Sequence, residues 1–356
     1  MPPRNHKHWL KKPNIESISS EIYSSQVIFE QEVKNIFSKV WVPMCHKSEM
    51  PEPGSFRTTQ IAGVNVIAIN NGDTIKSYLN TGKFNTPSGT MSRVEFLMDD
   101  YTPLYTEVKH GGMVWTTLNK NPTQSVEEWT AGAFDCIADA IDTEELEIFH
   151  YHKAIIPTNY KLWHDTNSEF YHDFMHYFNR VTGFNDEYFA RKNVPFDNGH
   201  VNVSSFTVNY TEFDKNGDRG ELSFPNLPPN QWYMVDLFPG FNFNLRGSAY
   251  RSDSVTPLGP NKVLIEFRGY GLKKDTIEER QTRINHHNTI WGPFGRNLHE
   301  DLLGVTGQGT SMAPGTENRH ILHGRHENGT IHDEVGMRHY YSEWGKYLDV
   351  DPYLAR

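Results

Sequence analysis

The chain has 356 residues, and its 37% hydrophobic and 13% aromatic content predicts a globular protein with one large or two modest domains. Its formal net charge of −10 argues against non-specific nucleic-acid binding, which uses basic surfaces. No run reaches the length of a membrane span, and the basic start lacks the apolar core of a signal peptide. With only two cysteines, Cys45 and Cys136, a disulfide framework is excluded and a cytoplasmic location is favoured.

The first third of the chain predicts a short helix followed by antiparallel strands. Phe29, Val33, Ile36 and Phe37 recur at helical spacing, which indicates an amphipathic helix. The segment 41–80 is punctuated by PEPG, AGV and NNGD, a pattern typical of short strands joined by turns. Further predictions are a strand at 110–119, a polar, proline-containing domain boundary at 119–125, and a helix at 126–146.

The second part predicts a curved antiparallel sheet that grips a long helix. Its central helix is expected at 162–179, and a later helix at 275–292, where Asp275 and Glu278 have capping-box spacing. The stretch 184–200 has no clear periodicity. The remaining predictions are strands at 147–157, 201–213, 232–245 and 262–272, and a short helix at 299–303.

His172 and His176 form the first candidate metal site. Their spacing of four residues places both rings on one face of the predicted helix, where both can approach one ion. Two histidines and one carboxylate, with open positions left over, are the ligands of non-haem Fe(II) enzymes that use O2. Spacing alone still favours two hydrogen-bonded histidines on a polar helix, because a chain with 18 histidines contains such a pair by chance.

The residues around the two histidines favour the metal site over two hydrogen-bonded histidines. The stretch NYKLWHDTNSEFYHDFMH, residues 159–176, resembles the iron-site signature of the α subunits of Rieske non-haem iron oxygenases. In that signature an N-W-K-like tripeptide precedes an acidic residue, then Tyr-His and a second histidine. The corresponding residues here are Asn159, Tyr160, Lys161, Glu169, Tyr171, His172 and His176. The family's third ligand is a distant aspartate after a G-P-x-G segment, and GPFGRNLHED places Asp301 there.

The resemblance covers about residues 15–350 and implies an architecture. It implies an α+β protein with an N-terminal helical segment, 1–40, and a degenerate Rieske-like antiparallel β domain, 41–122. A helix-grip catalytic domain of the START/Bet v 1-like type would occupy 123–356. The family resemblance also implies one Fe(II) per chain held by His172, His176 and Asp301. In the family, the acidic residue at Glu169 links the iron histidine to the Rieske cluster of a neighbouring subunit, which implies a homotrimer or an α3β3 assembly.

The chain departs from the family where the Rieske [2Fe-2S] ligands belong. Such a cluster needs two cysteines and two histidines on two hairpins. Gly82 and Phe84 stand where the first pair is expected, and the segment before His110 is too short for the second hairpin. Cys45 and Cys136 lack suitably spaced histidines and are expected to be ordinary buried thiols. We therefore expect no [2Fe-2S] cluster in this chain.

The predicted function is that of a mononuclear non-haem Fe(II) oxygenase subunit, a mono- or dioxygenase, acting with O2 on a small, polar organic substrate. Electrons would come from a separate ferredoxin or Rieske protein, or from the substrate itself. A small β subunit is a further partner that the sequence leaves open, and neither nucleic acid nor membrane is expected. The alternative is a non-catalytic partner subunit or ligand-binding protein on the same scaffold. The intact ligand triad favours the enzyme.

The resemblance also implies a substrate pocket. Asp173, Trp291 and Asn297 stand where the family contacts substrate, and the polar side chains among them favour a polar or small molecule. Arg246 and Arg251 are candidates for binding an anionic group, although pairing with surface acids is an equal alternative.

Other histidines receive simpler interpretations. We expect His320, His323, His326 and His332 to lie in a polar, glycine-containing surface loop, because no thiolate or fixed spacing supports a zinc site. His286 and His287 are expected in packing or an interface. His164 and Asp165 are either a relay pair near the iron or a capping or surface pair.

Overall fold

A computed structural model describes residues 17–82, 84–91, 101–182, 184–208, 222–313, 315, 320–322 and 330–353. Its α+β architecture is built on a seven-stranded antiparallel sheet with the strand order β10-β11-β12-β13-β14-β15-β9. These strands are β9 (Leu146–Ile156), β10 (Asn193–Phe196), β11 (His200–Thr207), β12 (Gln231–Leu237), β13 (Phe241–Arg246), β14 (Ala249–Gly259) and β15 (Lys262–Leu272).

Smaller sheets come from the first third of the chain. A three-stranded sheet has the order β2-β8-β7 and a four-stranded sheet the order β5-β4-β3-β6, while β1 pairs with β16 near the other end of the chain. Their bounds are β1 (Ser17–Ser19), β2 (Val42–His46), β3 (Ser55–Ile61), β4 (Val64–Asn70), β5 (Ile75–Leu79), β6 (Ser88–Thr90), β7 (Tyr105–Lys109), β8 (Met113–Thr117) and β16 (His320–Leu322).

Helices cover the large sheet and the chain ends. The α-helices are α1 (Gln26–Glu32), α2 (Val126–Thr130), α3 (Ala138–Ile141), α4 (Tyr160–Ser168), α5 (Tyr177–Thr182), α6 (Asp186–Ala190), α7 (Ile277–Ile290), α8 (Arg296–Ser311) and α9 (Val335–Leu348). A π-helical turn, Val33–Phe37, continues α1, and short 3-10 turns cover Ser20–Tyr23, Lys47–Glu49, Tyr171–Met175 and Asp197–Gly199.

Buried charges and one apolar core join the small sheets to the large one. Glu49 accepts from Arg57 of β3 and Arg268 of β15, each at 2.7 Å, and all three side chains are largely buried. The Ser254 hydroxyl on β14 donates to the carbonyl of Pro43 on β2 at 2.9 Å. A single hydrophobic cluster contains residues from α1, β2, β8, the large sheet and α9. The two parts therefore share a core.

Several predicted elements differ from the structure. The helix predicted at 126–146 is two short helices, because Ala131 and Gly132 between them have left-handed φ angles of 54° and 82°. The cap of α7 is Thr276 with Glu279, since the Asp275 carboxylate accepts instead from the Leu272 amide and from two arginines.

Other differences concern the length of predicted elements or elements that were not predicted. The predicted helix at 299–303 extends over Arg296–Ser311. The stretch 232–245 is a hairpin of β12 and β13, and 184–200 contains α6 and β10 where we expected no regular structure. Only residues up to Thr207 of the predicted strand 201–213 form β11, and 209–221 lie outside the described residues. The strands predicted at 147–157 and 262–272 are confirmed, as β9 and β15.

Candidate metal centre

The helix predicted to carry both candidate histidines ends before it reaches them. Helix α4 begins at Asn159, whose side chain accepts from the Lys161 amide at 3.0 Å, and it ends at Glu169, which has an extended backbone. The Glu169 carboxylate accepts from the amides of Tyr171 at 2.8 Å and His172 at 3.3 Å, so a 3-10 turn replaces the helix. The prediction of a continuous helix over 162–179 was therefore wrong.

His172 and His176 nevertheless come together. His172 lies in the 3-10 turn, and His176 follows it with an extended backbone at φ −72° and ψ 123°. Their ring centroids are 5.2 Å apart and the rings are nearly perpendicular, at 82°. The turn thus achieves the convergence that helical spacing had suggested.

A carboxylate orients each ring through Nδ1. His172 Nδ1 lies 2.6 Å from Glu169 Oε1, and His176 Nδ1 lies 2.9 Å from Glu300 Oε2. A neutral histidine that donates from Nδ1 carries a lone pair on Nε2, which is the tautomer a metal ligand requires. Both carboxylate partners therefore prepare the opposite nitrogen for a cation.

Both Nε2 atoms face Asp301 on α8. Asp301 Oδ1 is 2.9 Å from His176 Nε2 and 3.6 Å from His172 Nε2, and it makes no geometrically sound hydrogen bond within the described residues. Two nitrogen lone pairs and a buried carboxylate oxygen repel one another unless a cation lies between them. This donor set fits a divalent metal with two histidines and one carboxylate.

Asp173 is a second carboxylate close to the histidines, and its oxygen comes within 4.8 Å of both. It lies 3.8 Å from His172 Nε2. Its oxygens, however, already accept from the Tyr188 hydroxyl at 2.7 Å and from Asn179 Nδ2 at 2.9 Å. Asp301, whose Oδ1 has no such donor, is the better third ligand.

The electrostatics of the cluster also favour a cation. Burial lowers the pKa of His172, but the carboxylates of Glu169, Asp173 and Asp301 outweigh burial and raise this pKa to about 10. For Asp301, burial raises the pKa, and the histidines outweigh it and lower the pKa below its ordinary value. Without a metal, protons would occupy the place that the cluster provides for positive charge.

A small cavity adjoins the histidines and Asp301. Its volume is about 50 Å3. Asp173, Trp291 and Asn297, the three residues predicted to contact substrate, all line it, together with Met234 of β12 and Phe206 of β11. The cavity therefore lies between the candidate ligands and the inner face of the large sheet.

Three arginines also line this cavity. Arg246 and Arg251, the two candidates for anion binding, are buried in its wall and do not lie on the surface. Arg191, which sequence reasoning missed, is packed among four aromatic rings, with its guanidinium 4.2 Å from the Tyr188 ring centre and 4.6 Å from that of Trp232. The wall is thus rich in positive charge.

Glu300 is the other functional candidate that the sequence analysis missed. It directly precedes Asp301 and holds His176 in position from α8. An acidic pair at the position of the third ligand was the available signal.

The remaining histidine predictions have mixed outcomes. His164 and Asp165 are buried and have separate partners: His164 pairs with Asp236 at 2.9 Å, and Asp165 accepts from the Tyr23 hydroxyl at 2.7 Å. They are therefore neither a surface pair nor a relay with each other. His286 binds the Ser248 hydroxyl at 2.8 Å, and His287 is buried beside His150 with ring centroids 4.6 Å apart, as expected for packing.

The predicted histidine loop is only partly described. His323 and His326 lie outside the described residues, and for His320 the structure gives only its pairing in β16 with Ser19. His332 is buried and stacks on Tyr171, with centroids 4.4 Å apart, so the prediction of a surface position was wrong for this residue.

Comparisons with known proteins identify the family of this chain. The model of the ring hydroxylating alpha subunit (catalytic domain) family matches residues 143–349. The chain belongs to this family. Its members include the alpha subunit of methanesulfonate monooxygenase hydroxylase from Methylosulfonomonas methylovora, 52% identical over 99% of this chain and 96% of that protein. The alpha subunit of 2-aminobenzenesulfonate 2,3-dioxygenase from Alcaligenes sp is 31% identical over 97% of this chain and 98% of that protein.

A solved structure supports the fold independently. Naphthalene 1,2-dioxygenase from Rhodococcus sp., bound to indole, has a TM-score of 0.76 at 14% identity, and the match covers 93% of this chain and 94% of that chain.

The family match and the two relatives show that this alpha subunit is an iron-dependent oxygenase. The predictions of the family, of an enzyme and of a catalytic rather than scaffold subunit are confirmed. No helix in the described ranges has the length and apolar character needed to cross a membrane.

Proposed function

We propose that this alpha subunit oxidises a small organic sulfonate with O2. Two relatives that match nearly the whole chain are named for sulfonate substrates, and the more similar one acts on methanesulfonate. The observation that carries the proposal is Arg251 in the cavity wall, which is paired with Asp253 through Nη2 but has its Nε and Nη1 buried without an acceptor among the described residues. Buried charged donors that lack an acceptor favour an anionic ligand.

The size of the cavity favours a short sulfonate. A single water needs roughly 10–15 Å3 on this measure, so the cavity of about 50 Å3 holds about four waters. Methanesulfonate has a comparable number of non-hydrogen atoms, whereas drug-sized ligands occupy pockets of roughly 300–1,000 Å3. An alkanesulfonate of one or two carbons therefore fits better than an aromatic sulfonate.

The iron site of the proposal consists of His172, His176 and Asp301. His172 and His176 would bind through Nε2, and Asp301 would bind through Oδ1, one iron per chain. Bound Fe(II) would supply the activation of O2. Glu169 and Glu300 hold the two imidazoles in the ligating tautomer.

Electron supply is the second part of the proposal. Inserting one oxygen atom of O2 into a C–H bond and releasing the other as water consumes two electrons and two protons. We infer that this chain holds no [2Fe-2S] cluster, since its cysteines are Cys45, buried in β2, and Cys136, in the turn before α3. Burial raises the pKa of both thiols, that of Cys136 to about 12, so neither is a ready thiolate.

Two further observations support the absence of the cluster. After β5, Gly82 has a left-handed φ of 93° in a turn with no thiol, and the alignment with the methanesulfonate relative spans 400 positions, more than this chain has. That relative therefore has segments without a counterpart here. A separate ferredoxin or Rieske protein would deliver electrons near Glu169, unless the substrate supplies them.

The proposed domain organisation follows the sequence analysis. It comprises the helical segment 1–40, a degenerate Rieske-like β domain at 41–122 and a helix-grip catalytic domain at 123–356. A homotrimer or α3β3 assembly in the cytoplasm, with a β subunit as an optional partner, completes the proposal. The presence of an alpha subunit in each of the named sulfonate relatives supports a multi-subunit enzyme.

The test combines metal analysis with O2 uptake. Protein reconstituted anaerobically with Fe(II) should hold about one iron per chain, and the His172→Ala variant should lose it. O2 consumption should then depend on methanesulfonate. It should also require an added ferredoxin and reductase if the electrons come from a partner. Iron-loaded protein that takes up no O2 with any alkanesulfonate and any donor would refute the proposed substrate class.

A further inference from the structure

The inner face of the large sheet has a row of polar residues where a sheet core is normally apolar. Asn242 and Asn244 of β13 lie directly opposite Asp253 and Arg251 of β14, so all four side chains point to one face. All four are buried, with 8% exposure or less. Each carries at least one side-chain atom without a hydrogen-bond partner in the described part of the chain. Such atoms are costly unless a ligand or water satisfies them.

Arg251 is the cation in this row. Its Nη2 donates to Asp253 Oδ2 at 2.7 Å, and the Trp291 ring centre lies 4.9 Å from its guanidinium. These contacts fix the plane of the group. Its Nε and Nη1 are buried and have no acceptor among the described residues. The side chain is thus held in place with two unused charged donors.

The other two arginines of the cavity are more fully engaged, since Nη2 is the only buried nitrogen of Arg191 without a hydrogen bond in the described part of the chain, and this atom lies 3.7 Å from Asp173 Oδ2. Arg191 is enclosed by aromatic rings, and its Nε donates to the Tyr188 carbonyl at 3.1 Å. Arg246 donates from Nη2 to Asn179 at 3.3 Å and has further contacts. Arg251 is therefore the arginine with the greatest unmet capacity to bind an anion.

Arg251 also lies close to the candidate metal ligands. It lines the same cavity as Asp301 and Asn244. An anion held by Arg251 would therefore present the rest of a short molecule to the histidine side of the cavity.

We propose that Arg251 and Asn244 form the subsite that binds the sulfonate group of the substrate. Arg251 donates from Nε and Nη1 to sulfonate oxygens, and Asn244, which lines the same cavity, donates from Nδ2. The carbon attached to sulfur then faces the side of the cavity formed by His172, His176 and Asp301. This inference rests on the proposed function and identifies the residues that select its substrate.

The experiment measures methanesulfonate binding to iron-loaded, anaerobic protein by calorimetry. Replacing Arg251 with Met removes the two donors and should weaken binding about 10- to 100-fold, because hydrogen bonds from charged groups are the strong ones. Arg251→Lys keeps the charge but not the planar set of donors, and it should fall between Arg251→Met and the wild type. The control is Lys274→Met, which removes an exposed cation paired with Glu144 and should leave binding unchanged.

A neutral ligand separates recognition from folding. Dimethyl sulfone keeps the tetrahedral sulfur and two oxygens but has no charge, so the wild type should prefer methanesulfonate and Arg251→Met should lose that preference. If Arg251→Met does not fold because Asp253 is left unpaired, Asn244→Ala and the double variant Arg251→Met/Asp253→Asn test the same subsite.

Two outcomes would overturn the inference, and they are distinguishable. Wild-type and Arg251 variants that bind methanesulfonate equally, with the same preference over the sulfone, would refute the subsite alone. A wild type that binds no alkanesulfonate would refute the proposed substrate class and, with it, the subsite.

Discussion

Glu300 provides a sharp test of how the candidate metal centre is organised. Its Oε2 lies 2.9 Å from His176 Nδ1, and its side chain is 20% exposed. It makes no contact with the proposed metal position, because His176 stands between them. Replacing Glu300 with Gln keeps a neutral acceptor for the Nδ1 proton, whereas Glu300→Ala removes the acceptor altogether. Any effect on metal affinity then comes from the orientation of His176 and from the negative charge that both variants lack.

The expected magnitude follows from the hydrogen bond. Loss of a carboxylate that orients a ligating histidine costs about 10- to 100-fold in metal affinity, equivalent to about 1.4–2.8 kcal/mol. Partial exposure of Glu300 allows water to replace some of its contribution, which places Glu300→Gln near the lower limit. Glu300→Ala should be closer to the upper limit.

The assay is an anaerobic Fe(II) titration against a competing chelator, with circular dichroism to verify the fold. Glu144→Gln is the matched control, since it removes the same charge from an exposed salt bridge. The order of affinity should be wild type and Glu144→Gln, then Glu300→Gln, then Glu300→Ala. Equal affinities in all four proteins, with His176→Ala losing the metal, would refute the role assigned to Glu300.

Three further outcomes are expected. Burial lowers the pKa of His172, but the surrounding carboxylates outweigh burial and raise this pKa to about 10, so Fe(II) must displace a proton. The affinity for Fe(II) should therefore rise about tenfold per pH unit from pH 6 to 8, and an affinity that does not change with pH would contradict this. Gly309→Ala would place a methyl 2.4 Å from a carbonyl oxygen and should cost about 1–3 kcal/mol of unfolding free energy, whereas Gly307→Ala, with open space around it, should cost nothing in a denaturant titration. Lys161→Met leaves the buried Glu32 carboxylate unpaired and should destabilise by about 3–5 kcal/mol, with partial recovery on adding Glu32→Gln; an unchanged melting temperature would refute the pairing.

The residues of the candidate site were predictable, but their local backbone was not. The four-residue spacing of His172 and His176 suggested a helix, and the family signature added Asp301. The helix ends because the Glu169 carboxylate accepts hydrogen bonds from the amides of Tyr171 and His172, a local competition that apolar periodicity does not reveal. The two rings do come together as predicted, although the continuous helix from which this was predicted does not exist.

One missed strand and one helix that was predicted too short have separate causes. Strand β14 carries Arg251 and Asp253 toward the cavity and is buried along nearly its whole length, so its sequence lacks the alternation that reveals a half-exposed strand. Helix α8 was predicted too short because Gly304, Gly307 and Gly309 interrupt its pattern. Gly309 is required there, since any side chain would collide with the backbone at the end of β9.

The buried contacts of Glu49 with Arg57 and Arg268 limit which segments this alpha subunit could lose during evolution. Removing the segment that ends with β8 would leave Arg268 without the Glu49 carboxylate and would expose the apolar surface that β2 and β8 cover. The first third should therefore resist limited proteolysis and melt together with the large sheet in one transition. If this segment no longer carries electrons, the remainder still depends on it to fold, so losing a cofactor would not have made its former carrier dispensable.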